Sequence, residues 1–158
     1  NMAGETGGLR GKKRYLFEGG LRVPGIFRWP GNFPKGVRVD TPATALDILP
    51  TISAYLNLPL PEGLLVDGQS IVELLNIDEV TSFKRRNIFY WSIPTPDGME
   101  YAVRDGSWKM ILNSEGEPQY LFNLSRNRYE VNNLLKVDTR RVRSLKKKFD
   151  LYRASVEG

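Results

Sequence analysis

Residues 100–112 read EYAVRDGSWKMIL. Two runs of strand-forming residues flank Asp105–Gly106. An Asp-Gly pair in that setting marks a tight hairpin, because glycine reaches the left-handed backbone the turn needs. Working outward, NIFYW at 87–91 precedes the hairpin across PTPDG, and QYLFNL at 119–124 follows it across NSEGEP. Four short strands separated by turn-forming residues predict an antiparallel sheet. Beyond it, Val142, Leu145, Phe149 and Tyr152 recur at helical spacing, so residues 139–153 are expected as an amphipathic helix capped by Asp138. That helix needs a sheet to cover. The expected product is a small α+β domain over residues 85–158.

The first 84 residues follow another grammar, rich in glycine and proline. LRVPGIFRW, from Leu21 to Trp29, reads as a strand interrupted at Pro24–Gly25 near a sheet edge, and VRVD at 37–40 as a short extended piece. Asp47 can cap a helix that holds Pro50 in its first turn, where the missing N–H leaves nothing unpaired. Ile48, Leu49, Ile52, Tyr55 and Leu56 then share one apolar face, and Pro59 and Pro61 end the helix. Ser70 and Glu73 have capping-box spacing ahead of a second, short helix. Two short strands and two helices make a poor core alone. Residues 1–84 are therefore expected to be the closing part of a larger α/β domain, which makes the chain a fragment.

Composition narrows the chemistry. The chain has 158 residues, 41% of them hydrophobic, enough for a packed core rather than a disordered tail. It contains neither cysteine nor histidine, so the commonest neutral-pH base and the commonest soft metal ligands are missing. An independent hydrolase here would have to work with lysines and carboxylates. The formal net charge of +5 favours anionic partners weakly. Arg140, Arg141, Arg143 and Lys146–Lys148 fall on the polar side of the C-terminal helix, which a solvated face explains, and no nucleic-acid module is recognisable. No apolar run is long enough to cross a membrane.

The other concentration of charge is GKKRYLFEGGLRVP, residues 11–24. Lys12, Lys13 and Arg14 suit an anion, but the spacing is not that of a nucleotide-binding loop, and a solvated basic turn is the simpler reading. Glu18 before Gly19–Gly20 suggests tight backbone passage, with the carboxylate bracing the loop and Arg22 as its partner.

Taken in order, GLRGKKRYLFEGGLRVPGIFRWPG, VDTPATALDILPTISAYLNLPLP, DGQSIVELL, AVRDGSWKMIL and QYLFNLSRNRYEVNNL resemble segments of the sulfatase family across nearly the whole chain. The resemblance implies an alkaline-phosphatase-like α/β domain followed by a smaller domain with a four-stranded antiparallel sheet and a packed helix. Counting back from Glu18 places the family's sulfate-binding catalytic lysine on Lys13, with Lys12 as its rival in substrate binding. Asn1 would match the asparagine of the metal motif, and Glu18 and Arg22 are structural supports. The family's calcium and formylglycine are implied for a full-length parent, periplasmic or secreted, acting on a sulfated small molecule or glycan. This chain lacks the Cys-x-Pro-x-Arg nucleophile motif, so its expected partner is the missing N-terminal part of the domain. It is expected to be inactive alone. Arg126 and Arg128–Tyr129 stand where the family usually has Asp-Pro. A non-catalytic anion-binding module and a degenerate sulfatase relative are the alternatives.

Overall fold

The computed structural model describes residues 5–76, 83–86 and 88–157. Its elements run α1 (Glu18–Leu21), a 3-10 turn (Ala45–Asp47), α2 (Ile48–Tyr55), α3 (Val72–Leu75), β1 (Phe89–Thr95), β2 (Gly98–Asp105), β3 (Trp108–Leu112), β4 (Pro118–Asn123) and α4 (Thr139–Glu157). They form two compact units, Asn1–Val23 with Ile88–Gly158, and Pro24–Asn87.

In the first unit the four strands pair antiparallel in the order β1-β2-β3-β4. Asp105 faces Trp108, and Gly106 turns the chain at φ 57°, as the Asp-Gly reading expects. β1 is longer than the sequence suggested and takes in Pro94, which it can hold because it lies at an edge of the sheet. Val103 pairs with Met110 and Met110 with Leu121, so these three share one face of the sheet. α4 covers that face with Leu145 and Phe149, both fully buried. Asp138 caps α4 by accepting from the Arg141 N–H at 2.9 Å, and the Tyr152 ring stacks on Tyr90 at 3.8 Å.

The opposite face of the sheet is also buried. Ala102, Ile111 and Phe122 there pack against Leu16, with Phe17 and Leu21 beside them. The N-terminal stretch is thus the second cover of the sheet. A side chain such as Leu16 stabilises by about 1.5–3 kcal/mol on leaving water. Because both faces are covered, β3 is buried at every position after Trp108, including Lys109.

The second unit is organised by polar groups. Thr44 caps the 3-10 turn: its hydroxyl accepts from Leu46 N–H, and its own N–H donates to the Asp47 carboxylate at 2.8 Å. Asp47 therefore reaches back to Thr44 rather than capping α2 forward, since the 3-10 turn has moved the cap three residues upstream. The same carboxylate accepts from Gln69 N–H at 2.8 Å and from both terminal nitrogens of Arg85. Thr51 donates to the Asp47 carbonyl and accepts from Ile71 N–H, tying α2 to α3. Trp29, Phe33 and Tyr55 form an aromatic trio with centroids 4.8–5.8 Å apart.

Several sequence readings change here. Leu21 ends α1, neither Leu21–Trp29 nor residues 37–40 form a strand, and Ile26 is 89% exposed. The α3 turn has Ile71 at its N-cap with no side-chain cap, and Ser70 accepts from Val72 N–H, so the Ser70–Glu73 capping box is not made. The apolar face expected on α2 exists, but Ile48, Leu49, Ile52 and Leu56 all point to solvent.

Candidate functional site

The site begins with a turn. Tyr15 N–H donates to Lys12 carbonyl at 3.0 Å, leaving Lys13 and Arg14 at the tip. Arg14 takes φ 75°, the left-handed conformation that the third position of such a turn often requires and that glycine usually supplies. Lys12 and Lys13 are both exposed.

This turn is locked onto a second one, the single helical turn α1. Gly19 N–H donates to Arg10 carbonyl at 2.8 Å. A Cβ on Gly19 would lie 2.4 Å from the Gly11 carbonyl oxygen, and one on Gly20 would lie 2.1 Å from that of Tyr15 and 2.5 Å from that of Lys12. Neither position can carry a side chain while the two turns interlock. That contact is the physical reason for the glycine pair.

Glu18 opens α1 and is buried. Its carboxylate accepts from Lys109 Nζ at 2.9 Å, and Arg104 Nη1 lies 3.8 Å from its second oxygen. Glu130 completes the cluster: its Oε2 accepts from Glu18 N–H at 2.6 Å, and its Oε1 sits 2.9 Å from Lys109 Nζ as an ion pair. Lys109 and Glu130 are 0% exposed, so two cations and two carboxylates balance one another inside the protein. Glu130 is delivered by a backbone at φ 56°, and Arg10 donates to its carbonyl at 3.1 Å while lying 4.0 Å over the Phe17 ring.

Burial pushes the Glu130 carboxyl above its ordinary value, against the lowering pull of Lys109 and of the Glu18 N–H. Burial likewise lowers the Arg104 guanidinium, and neighbouring Arg22 adds to this while Glu18 and Glu130 oppose it. The ionised cluster is therefore held by mutual pairing. Removing one member would strand a charge in the interior.

The structure brings Lys12, Lys13 and Glu18 into one assembly of interlocked turns. Arg22 joins through its backbone, its N–H donating to Glu18 carbonyl at 2.7 Å, and through its charge beside Arg104, while the side chain hydrogen-bonded to the carboxylate is Lys109. Asn1 lies outside the described residues. Sequence reasoning missed Lys109, Glu130, Arg104 and Arg10. One signal was available: a lysine inside the apolar run Trp108–Leu112 of an inner strand needs a buried carboxylate partner. Among the described residues there is no group of three His, Cys, Asp or Glu side chains that could hold a metal ion.

Residues 4–154 match the C-terminal family of N-sulphoglucosamine sulphohydrolase. The chain belongs to this sulfatase family. Arylsulfatase A of Bos taurus is 32% identical over 153 residues, covering 84% of this chain and 30% of its own length. Steryl-sulfatase of Homo sapiens is 42% identical over 72 residues, 46% of this chain and 12% of its own. A solved Bacteroides thetaiotaomicron protein, described with the metabolism of multiple glycosaminoglycans, superposes with a TM-score of 0.66 at 27% identity, over 94% of this chain and 32% of its own. Ps i-CgsB shares the fold, with a TM-score of 0.75 at 24% identity, over 91% of this chain and 31% of its own. The chain thus spans between 12% and 32% of the length of these relatives.

α4 and the four-stranded sheet form a small α+β domain, as the sequence led one to expect. Within that domain the turn after β4 is closed by two asparagines. Asn123 carbonyl accepts from Arg126 and Asn127 N–H, and the Asn127 side chain accepts from Tyr129 N–H.

Proposed function

We propose that this chain is the C-terminal part of a sulfuric ester hydrolase in which Lys13 binds a sulfate oxygen and Lys12 flanks it. The observation that carries the reading is the presentation of both ammonium groups in solvent on a turn fixed to Glu18–Gly19–Gly20. At a protein surface, attraction between such a group and one negative charge about 4 Å away is about 4 kcal/mol. Held at one place, the ammonium can stabilise charge as it grows on the sulfate and the departing oxygen without having to reorganise.

In this reading residues 1–84 close the α/β catalytic domain and residues 85–158 form the C-terminal subdomain. The exposed apolar face of α2, with Ile26 and Leu65 (94% exposed), is the surface on which the missing N-terminal part packs. The calcium and formylglycine of the family do not fit the described residues, which hold no carboxylate cluster for the ion, and the chain has no cysteine. Both groups are assigned to the preceding polypeptide, with Asn1 as a candidate ligand contributed from this chain. The parent is read as an exported enzyme, and its substrate as a sulfated small molecule or glycan.

The test is Lys13→Ala in the full-length protein, assayed on a chromogenic aryl sulfate. Turnover is expected to fall by roughly 10²–10³-fold, as when one charge-stabilising donor is removed elsewhere. An unchanged rate would transfer the role to Lys12 or remove it. The purified 158-residue chain should hydrolyse no sulfate ester, and a clear rate from it would overturn the division of labour.

A further inference from the structure

We infer that Lys109 is a positioning residue for the lysine turn, acting from β3 through Glu18 and Glu130. This deepens the reading of Lys13 as a sulfate-binding group and rests on it.

The chain of contacts is continuous. Lys109 Nζ meets Glu18 Oε1 and Glu130 Oε1, each at 2.9 Å. Glu130 Oε2 in turn holds the Glu18 N–H at 2.6 Å, so the first residue of α1 is gripped by both its backbone and its side chain. The next two residues, Gly19 and Gly20, lie against the carbonyls of Arg10, Gly11, Lys12 and Tyr15 with no room for a Cβ. Any shift of Glu18 is therefore passed to the turn bearing Lys12 and Lys13. A second grip comes from Arg10, which bonds the Glu130 carbonyl and lies over Phe17.

Packing alone does not account for these charges. The surrounding face is apolar, made of Leu16, Ala102, Ile111, Phe122 and Leu124, and an apolar residue in place of Lys109 would fill it without desolvating an ammonium. What an ion pair adds is direction: two carboxylates on one ammonium fix where Glu18 sits, whereas apolar contact allows sliding. The groups facing Lys109 are Glu18 from α1, Glu130 from the turn after β4, and Arg104 from β2 beyond Glu18, with Arg22 near Arg104.

The experiment uses the full-length protein with Lys109→Met, Glu130→Gln, the double variant, and Lys13→Ala as reference. Turnover of a chromogenic aryl sulfate and amide exchange at Tyr15 and Gly19 are measured on folded material. Lys109→Met should lower kcat by roughly 10²-fold with KM little changed, the loss expected when a reacting group is misplaced by about 1 Å. It should also speed exchange at both amides. Adding Glu130→Gln should restore part of both, because one buried carboxylate then faces Arg104 alone. Unchanged kcat and exchange in Lys109→Met, or a loss that the double variant does not relieve, would overturn the proposal. Should Lys109→Met fail to fold, Glu130→Gln decides: roughly tenfold lower kcat with faster exchange supports it, and wild-type values for both overturn it. If Lys13→Ala keeps full turnover while the Lys109 variants loosen the turn, the sulfate reading fails and the positioning role stands.

Discussion

The two units of this chain bury different mixtures of residue. In the sheet unit the interior is apolar on both faces, and its only deeply buried charges are members of one balanced cluster among the described residues. In the Pro24–Asn87 unit the deepest side chains include Asp47 and Thr51, while Ile48, Leu49, Ile52 and Leu56 of the same helix face water. In this unit Ile71 and Leu74 are buried beside the hydrogen-bonded Asp47 and Thr51, while the apolar face of α2 stays exposed. The sheet unit carries its own stabilisation.

The largest way to sharpen that contrast is Phe149→Ala, which should cost about 3–5 kcal/mol in chemical denaturation followed by α4 signals, because it opens a cavity beneath a fully buried ring. Asp47→Asn should cost about 3 kcal/mol, read locally as faster amide exchange at Ile71, because it leaves Arg85 facing an uncharged group.

Acid should act on the Asp47 unit next. Burial works to raise Asp47, but hydrogen bonds from Arg85, Gln69 and Thr44 outweigh it and hold the carboxyl below its ordinary 3.8. Its contribution is therefore present above that value and lost as pH falls through the lower folded value. Amide exchange at Ile71 should therefore quicken only at the acid end of a titration from neutral pH to 3, as Asp47 gives up its charge. Exchange there that does not quicken would break the comparison.

The smallest effect tests the outward face of α2. Ile52→Ser should change the stability of the isolated chain by less than about 0.5 kcal/mol, since the side chain is already half exposed. The same substitution in the full-length protein should cost about 2 kcal/mol, the value of an isoleucine that leaves water. Equal effects in the two settings would mean that nothing packs there.

The sheet unit was largely legible from the residues. Strand alternation, the Asp105–Gly106 turn, the Asp138 cap and the Val142–Leu145–Phe149 stripe are local signals, each read within a few positions of itself. The motif around Glu18 pointed to tight backbone passage and to a bracing carboxylate, and the structure has both. The motif named Arg22 as partner because Arg22 is near in sequence. Lys109 lies 91 residues away, and only the closing of Leu16 and Phe17 over the sheet brings it to Glu18.

The chain's own order of residues determined where it turns, which strands are neighbours, which stripe of α4 is apolar and why two glycines follow Glu18. Tertiary structure alone decided that the second face of the sheet is covered by the N-terminal loop, that a lysine of β3 becomes an anchor, and that α2 buries its polar side. The reason is range: turn and strand preferences act between adjacent residues, whereas the partner of a buried charge is chosen by whichever distant segment arrives with the opposite sign.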